Sequence, residues 1–231
     1  MKAPSPMTRI SVVLADDHML VREGLRRLLE AEPDIEVVGE ASTGREAVIL
    51  ARKVRPAVIV MDIAMPRLNG LEATRQIREI IPDAKVIILS AYSDDAYIDS
   101  AMALGAQGYL IKQTSAQCLS EAVRAVHKGK TYFSPAISKR LHDQTWTSMN
   151  RQGRMKTKTP ALSSRELEVL QLIAEGAANK QIAAELGISI KTVEKHRDHL
   201  MQKLDIHDTA SLTRHAIATG IIESGVQLTI S

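Results

Sequence analysis

The chain reads as a doubly wound α/β domain with a parallel five-stranded sheet, followed by an all-α domain of four helices. Three observations predict this. Short apolar runs rich in Val and Ile alternate with helix-period segments up to about residue 133, the strand signal disappears from Pro160 onward, and the stretch between is polar and basic.

The predicted strands are Ile10–Ala15, 37–39, 57–61, 85–89 and Gly108–Ile111, short and mostly without polar alternation, as expected of strands buried on both faces. Between them, Val21, Leu25, Leu28 and Leu29, and later Leu119, Ala122, Val123 and Val126, recur at helical spacing and mark one-sided helices. Past Pro160, Ser163 stands three residues before Glu166 as a capping box, Leu167, Leu170, Ile173 and Ala174 share a face, and Gly176 stops the helix. Asn179 is expected to cap a second helix burying Ile182, Ala183 and Leu186 and ending at Gly187. Ser189 caps a third with Val193, Leu200 and Leu204 inward. A fourth runs from about Asp208 to Gly220 with Leu212, Ala216 and Ile217 apolar.

The length, 231 residues with 45% hydrophobic and 25% charged side chains, suits two small domains. No stretch approaches the ~20 apolar residues that span a bilayer, and the start, Met1 to Pro6, lacks a signal-peptide core, so a cytoplasmic protein without membrane contact is expected. Cys118 is the only cysteine, which excludes an internal disulfide and places it as inert core. Net charge is +3, and its distribution says more: residues 1–133 carry 17 basic and 17 acidic groups, 134–159 carry 6 and 1, and 160–231 carry 7 and 9. Lys139, Arg140, Arg151, Arg154, Lys156 and Lys158, among Ser, Thr, Gln and Gly, read as a connector suited to a polyanion or simply solvated. Trp146, the sole tryptophan, lies in it.

In doubly wound sheets ligands collect beyond the carboxyl ends of the strands, and Asp16, Asp17, Asp62, Ser90 and Lys112 all fall there. Such carboxylates offer hard oxygen ligands to Mg²⁺, which screens Asp62 so that it can attack a phosphoryl group, while Ser90 and Lys112 meet the new phosphate oxygens. Helix capping is the competing explanation. It accounts for one Asp per strand, not for four strand ends with compatible chemistry. His18 is read as a helix N-terminal residue, because Mg²⁺ prefers oxygen.

Ala15-Asp16-Asp17-His18, Met61-Asp62-Ile63-Ala64-Met65-Pro66, Leu68-Asn69-Gly70-Leu71-Glu72-Ala73, Leu89-Ser90-Ala91 and Gly105 to Lys112 together resemble a bacterial response-regulator receiver domain over residues 8–130. The resemblance implies that a sensor histidine kinase phosphorylates Asp62, that Asp17, Asp62 and the Ile63 carbonyl hold Mg²⁺ with Asp16 reaching it through water, and that Ser90 and Tyr109 form a switch pair with Lys112 on the phosphate. Two positions depart from the family: Gln113 stands where many receivers have proline, and Ala64 is small. Both leave the phosphate lifetime open. Ala64 also cannot act as the general acid of a phosphatase or phosphotransferase, so no enzymatic activity is expected.

On the third C-terminal helix, Val193, Arg197, Leu200 and Leu204 turn inward, while Lys191, Lys195, Asp198 and Gln202 point outward with Glu194 on the flank. Asn179, Lys180 and Thr192 sit near helix starts, where phosphates dock. Periodicity alone leaves a solvated face equally open, since this region is net acidic. The segments 162–170, 174–176, 179–183, 186–189 and 191–197 are similar to a LuxR-type helix-turn-helix domain over residues 160–225. With a receiver in front and a basic linker with a short helix at 131–159, the chain resembles response regulators of the NarL/FixJ group. This implies a phosphorylation-controlled transcription regulator that binds paired DNA half-sites as a homodimer when active, with RNA polymerase as a further partner. The candidate DNA contacts are Asn179, Lys180, Ser189, Lys191, Thr192, Glu194, Lys195 and Asp198. The alternatives are a phosphate-independent regulator and a phosphoryl-relay sink.

Overall fold

The computed structural model describes residues 9–91, 95–112, 116–135, 137–138 and 162–222, which belong to two compact units. The basic residues of the connector, Trp146 and Gln113 lie outside the described residues.

In the first unit β1 (Ile10–Ala15), α1 (Met19–Glu30), β2 (Ile35–Ala41), α2 (Gly44–Val54), β3 (Val58–Asp62), α3 (Gly70–Ile80), β4 (Val86–Ser90), α4 (Asp95–Ala103), β5 (Gly108–Ile111) and α5 (Ala116–His127) alternate as expected. The sheet order is β2-β1-β3-β4-β5-β6 with every pairing parallel. The chain direction across the sheet reverses at β1, so the crevice where ligands bind in such folds opens beside the ends of β1 and β3. That is where Asp16, Asp17 and Asp62 stand.

The strand count is corrected from five to six. β6 (Tyr132–Phe133) pairs with β5 at Gly108 and Tyr109. Two residues are too few for a sequence periodicity, so only the pairing partner makes them a strand. One face of the sheet packs Val12, Leu14, Val58, Val60, Ile87, Leu89 and Leu110 against Leu29 of α1 and Leu119, Ala122, Val123 and Val126 of α5. Of the predicted α1 stripe, Leu29 is buried and Leu25 packs against the same core, whereas Leu28 is 41% exposed. Cys118 is half-buried rather than fully in the core.

The second unit holds α6 (Ser164–Ala174), α7 (Asn179–Leu186), α8 (Ile190–Leu204) and α9 (Thr209–Ala218) around Val169, Leu170, Ile182, Val193, Leu200, Leu212 and Ala216. The Ser163 capping box is complete: Glu166 N–H donates to Ser163 Oγ at 3.3 Å and Ser163 N–H to Glu166 Oε2 at 2.7 Å. Asn179 does not cap α7. Ala178 is the N-cap, its N–H donates to Gln181 Oε1 at 2.7 Å, and Asn179 is the first helical residue with its side chain engaged elsewhere. Gly187, at φ 62°, ends α7 in a left-handed turn that lets Ser189 begin α8 two residues later. On α9, Leu212 and Ala216 are buried, whereas Ile217 is 38% exposed.

Gly70 shows how tightly the first unit is built around Asp62. A Cβ at Gly70 would lie 1.8 Å from the Asp62 carbonyl oxygen, so α3 approaches the end of β3 as only glycine permits. Gly70→Ala is expected to shift the Asp62 backbone and cost about 1–3 kcal/mol, read as a lower urea midpoint with unchanged slope.

Candidate phosphoacceptor site and nucleic-acid interface

Asp62 ends β3 and is 2% exposed; Asp16 follows β1 and is 1% exposed. Lys112, just past β5, lies 2.8 Å from Asp62 Oδ2 and 3.0 Å from Asp16 Oδ2. Its own N–H donates to the Ser90 carbonyl at 2.7 Å, which fixes the end of β5 to the end of β4. Ser90 is buried, and Tyr109 is fully buried opposite Ile88, on the same sheet face as Ser90 by the strand register. The predicted receiver site residues Asp16, Asp17, Asp62, Ser90 and Lys112 thus share one strand-end edge, with Tyr109 two pairs below Ser90.

Three carboxylates meet one ammonium, and the balance shows in their ionisation. Burial pushes the Asp62 carboxyl up to about 6; Lys112 opposes the shift, and the negative charges of Asp16 and Asp17 add to it. For Lys112, burial pulls down but the Asp62 and Asp16 carboxylates outweigh it and hold the ammonium above its ordinary value.

The site's donor set fits a hard divalent cation. Ligand atoms of Asp16, Asp17, His18 and Asp62 lie within 4.8 Å of one another, and the three carboxylates offer hard oxygens of the kind such an ion takes. His18 is the N-cap residue of α1; its N–H donates to Asp16 Oδ1 at 2.9 Å, and its Nδ1 lies 2.7 Å from Asp17 Oδ1. The Ile63 carbonyl, expected on the ion, serves the turn into α3. It accepts from Gly70 N–H at 2.8 Å and Met65 N–H at 3.1 Å, so both its lone pairs are taken by the turn into α3.

Arg22 escaped the sequence reading. Its Nη1 donates to the Asp16 backbone carbonyl at 2.6 Å while Nε donates to Glu40 Oε2 at 3.0 Å, bracing the loop that carries the acidic pair. An arginine on a helix carries no local signal that its target is a carbonyl six residues back, in the loop before the helix.

In the second unit, Lys191, Glu194, Lys195, Asp198 and Gln202 are exposed along α8 while Val193 and Leu200 are fully buried, as the periodicity requires. Lys180 is exposed at the start of α7. Ser189 first serves as a cap: Thr192 N–H donates to its Oγ at 3.1 Å, and the two hydroxyls lie 2.8 Å apart. Lys203 Nζ donates to Glu166 Oε2 at 2.7 Å, tying the last turn of α8 to the capping box of α6. Burial raises Glu166, yet Lys203 and the Ser163 N–H outweigh it and keep the carboxyl below its usual range. Arg165 Nη2 donates to the Leu186 carbonyl at 2.9 Å, linking α6 to the end of α7.

The raised Asp62 value has a stability consequence. The folded chain holds this proton more tightly than the unfolded chain, so the penalty is absent at low pH, grows from about pH 4 and is complete above about 6. In EDTA, Asp62→Asn is expected to be more stable than the parent by up to about 3 kcal/mol at pH 7, with the difference vanishing toward pH 3–4. Urea titrations across that range check it, and Mg²⁺ should stabilise the parent and not the variant.

Known proteins carry the same two parts. Residues 12–124 match the response regulator receiver domain and residues 160–216 the bacterial regulatory proteins of the luxR family. Transcriptional regulatory protein DegU of Brevibacillus brevis is 38% identical over 226 residues, covering 93% of this chain and 96% of that one. Transcriptional regulatory protein LiaR of Bacillus subtilis is 41% identical over 207 residues, covering 90% and 96%. Among solved structures, a LuxR-family two-component response regulator from Aurantimonas sp. is 35% identical with a TM-score of 0.58, covering 60% of this chain and 99% of that one. RcsB from Salmonella enterica serovar Typhimurium, bound to promoter rprA in the presence of the phosphomimetic BeF3-, is 27% identical with a TM-score of 0.57, covering 90% and 98%. No helix among the described residues is long and apolar enough to cross a membrane. The strand-end acid cluster and the capped helix-turn-helix, joined in one chain and matched over both parts by such relatives, make this protein a two-component response regulator of the NarL/FixJ group, a DNA-binding transcription regulator under the control of its receiver domain.

Proposed function

We propose that Asp62 is the phosphoacceptor and that its phosphorylation by a sensor histidine kinase drives this chain to pair on two DNA half-sites. One observation carries the first part: among the described residues, Asp62 alone combines the end of a buried strand, an acid cluster and a lysine at 2.8 Å. Asp16, Asp17 and Asp62 would supply the protein oxygens for Mg²⁺. Bound there, the ion screens the carboxylates and the phosphoryl oxygens.

An Asp62 oxygen attacks the phosphorus of the donor phosphohistidine, the P–N bond breaks with its electron pair left on the imidazole, and an acyl phosphate forms. Lys112 then exchanges part of its pairing with Asp62 for a phosphate oxygen, and the Ser90 hydroxyl donates to another. The added charge, about −1.5 to −2, pulls both groups toward the phosphate and biases the surface behind Tyr109. Residues 8–130 act as the receiver, 131–159 as the connector and 160–225 as the reader. Ile217, 38% exposed on α9, supports a homodimer contact there. Reading DNA assigns the protein to the cytoplasm, with RNA polymerase as a further contact of the bound dimer.

On DNA, the exposed row of α8 faces base edges, with Lys195 central and Glu194 and Asp198 beside it. Asn179, Lys180, Ser189, Lys191 and Thr192 lie at helix starts and face phosphates. The basic excess of residues 134–159, 6 against 1, offsets the net-acidic reader beside a polyanion.

Incubation with phosphoramidate and Mg²⁺ is expected to add one phosphoryl group by intact mass, mapped to the peptide containing Asp62 and lost with EDTA. Normal labelling of Asp62→Asn would overturn the assignment. For the reader, Lys195→Ala should cost ~1–3 kcal/mol at the preferred duplex and relax sequence choice, whereas Lys180→Ala and Lys191→Ala should each lower the salt slope by about one. Moving the two half-sites from ~10 bp to half a turn further apart should weaken binding of the phosphorylated chain. Equal binding by the unmodified chain, with no change in oligomeric state, points instead to a phosphate-independent regulator.

A further inference from the structure

Arg197 is a cation on the wrong side of a DNA-reading helix. Val193, four residues before it, and Leu200, three after, are both fully buried, so Arg197 stands on the stripe of α8 that faces the domain's own interior. Half-buried there, its Nη1 donates to Asn179 Oδ1 at 3.1 Å and its Nη2 to Thr209 Oγ1 at 3.3 Å. Asn179 is the first residue of α7 and Thr209 the first of α9. One guanidinium therefore fastens the middle of α8 to the starts of two neighbouring helices. Its planar fork suits two acceptors at once, which an ammonium on a flexible stem does not reproduce.

The contact also decides what Asn179 can offer. Arginine only donates, so the amide atom facing it is the carbonyl oxygen, and the two Nδ2 hydrogens are the donors left to Asn179. A phosphate oxygen accepts such hydrogens. A cation placed at two helix starts gains nothing from their dipoles, so the arrangement owes its value to geometry rather than to charge.

We propose that Arg197 is a positioning residue for DNA reading. It makes no DNA contact; it sets the attitude of α8 and turns the amide hydrogens of Asn179 toward a phosphate. This rests on the proposed phosphate contact of Asn179.

The test uses the full phosphorylated chain and two probes: the duplex that the parent chain itself enriches from a random library, and a scrambled duplex of equal length and composition. Arg197→Met is expected to weaken the enriched duplex about tenfold or more and the scrambled one less than about threefold, with the slope of log affinity against log salt unchanged. Arg197→Lys should not rescue the loss, and Asn179→Ala added to Arg197→Met should cost little more, because both act through one contact. A salt slope lower by about one would show that Arg197 itself holds a phosphate, and equal losses on both duplexes would reduce it to a purely structural residue; either overturns the proposal. Should Arg197→Met unfold the domain, Asn179→Asp decides: it keeps the acceptor for Arg197 but loses the amide hydrogens, so unchanged affinity on both duplexes overturns the aiming of Asn179. A parent chain that enriches no duplex sinks the DNA reading and this inference together, whereas enrichment with an unaltered ratio in Arg197→Met sinks this inference alone.

Discussion

Three carboxylates facing one ammonium at the end of β1 and β3 is the constraint around which the receiver is organised. Lys112 reaches both Asp62 and Asp16, at 2.8 and 3.0 Å, yet burial still lifts the Asp62 carboxyl to about 6. Such a pocket is costly when empty and profits from any cation, which couples its stability to the ion that phosphoryl chemistry needs. A further dianionic group can settle there only if Lys112 and a metal share its charge. The same imbalance that weakens the fold thus prepares the site.

The backbone around the cluster is correspondingly fixed. Gly70 lets α3 close against the Asp62 carbonyl, the Ile63 carbonyl is consumed by the turn, and Arg22 holds the Asp16 carbonyl. Lys112 is joined to Ser90 through the main chain, so a displacement at the phosphate end of β5 reaches β4 directly. Tyr109, buried on the shared face, stands where such a displacement arrives.

The reader unit works by different means. Four short helices bury a small core, and a unit of this size gains little from burial alone. Charged clamps supply the orientation: Lys203 to Glu166, Arg165 to the Leu186 carbonyl and Arg197 to Asn179 and Thr209. Each joins two or three helices, and together they leave Lys191, Lys195, Asp198 and Gln202 exposed as a row. Because the unit is net acidic, affinity for DNA must come from placement of few cations rather than from bulk charge.

What the sequence determined by itself was whatever depends on neighbours along the chain. Apolar runs mark strands β1 to β5, Ser163 with Glu166 marks a capped helix, and the spacing of Val193 and Leu200 assigns the two faces of α8. The strand-end rule then gathers Asp16, Asp17, Asp62, Ser90 and Lys112 without any coordinates. Tertiary structure alone decided the rest. β6 exists only because β5 offers it an edge, Leu28 of the predicted stripe stays exposed, and the Ile63 carbonyl accepts from a residue seven positions away. Asn179 could have capped α7, but Arg197, eighteen residues on, claims its side chain. The physical reason is common to all of these. Hydrogen-bond partners and covering surfaces far apart in sequence are chosen by three-dimensional approach, and periodicity carries no record of that choice.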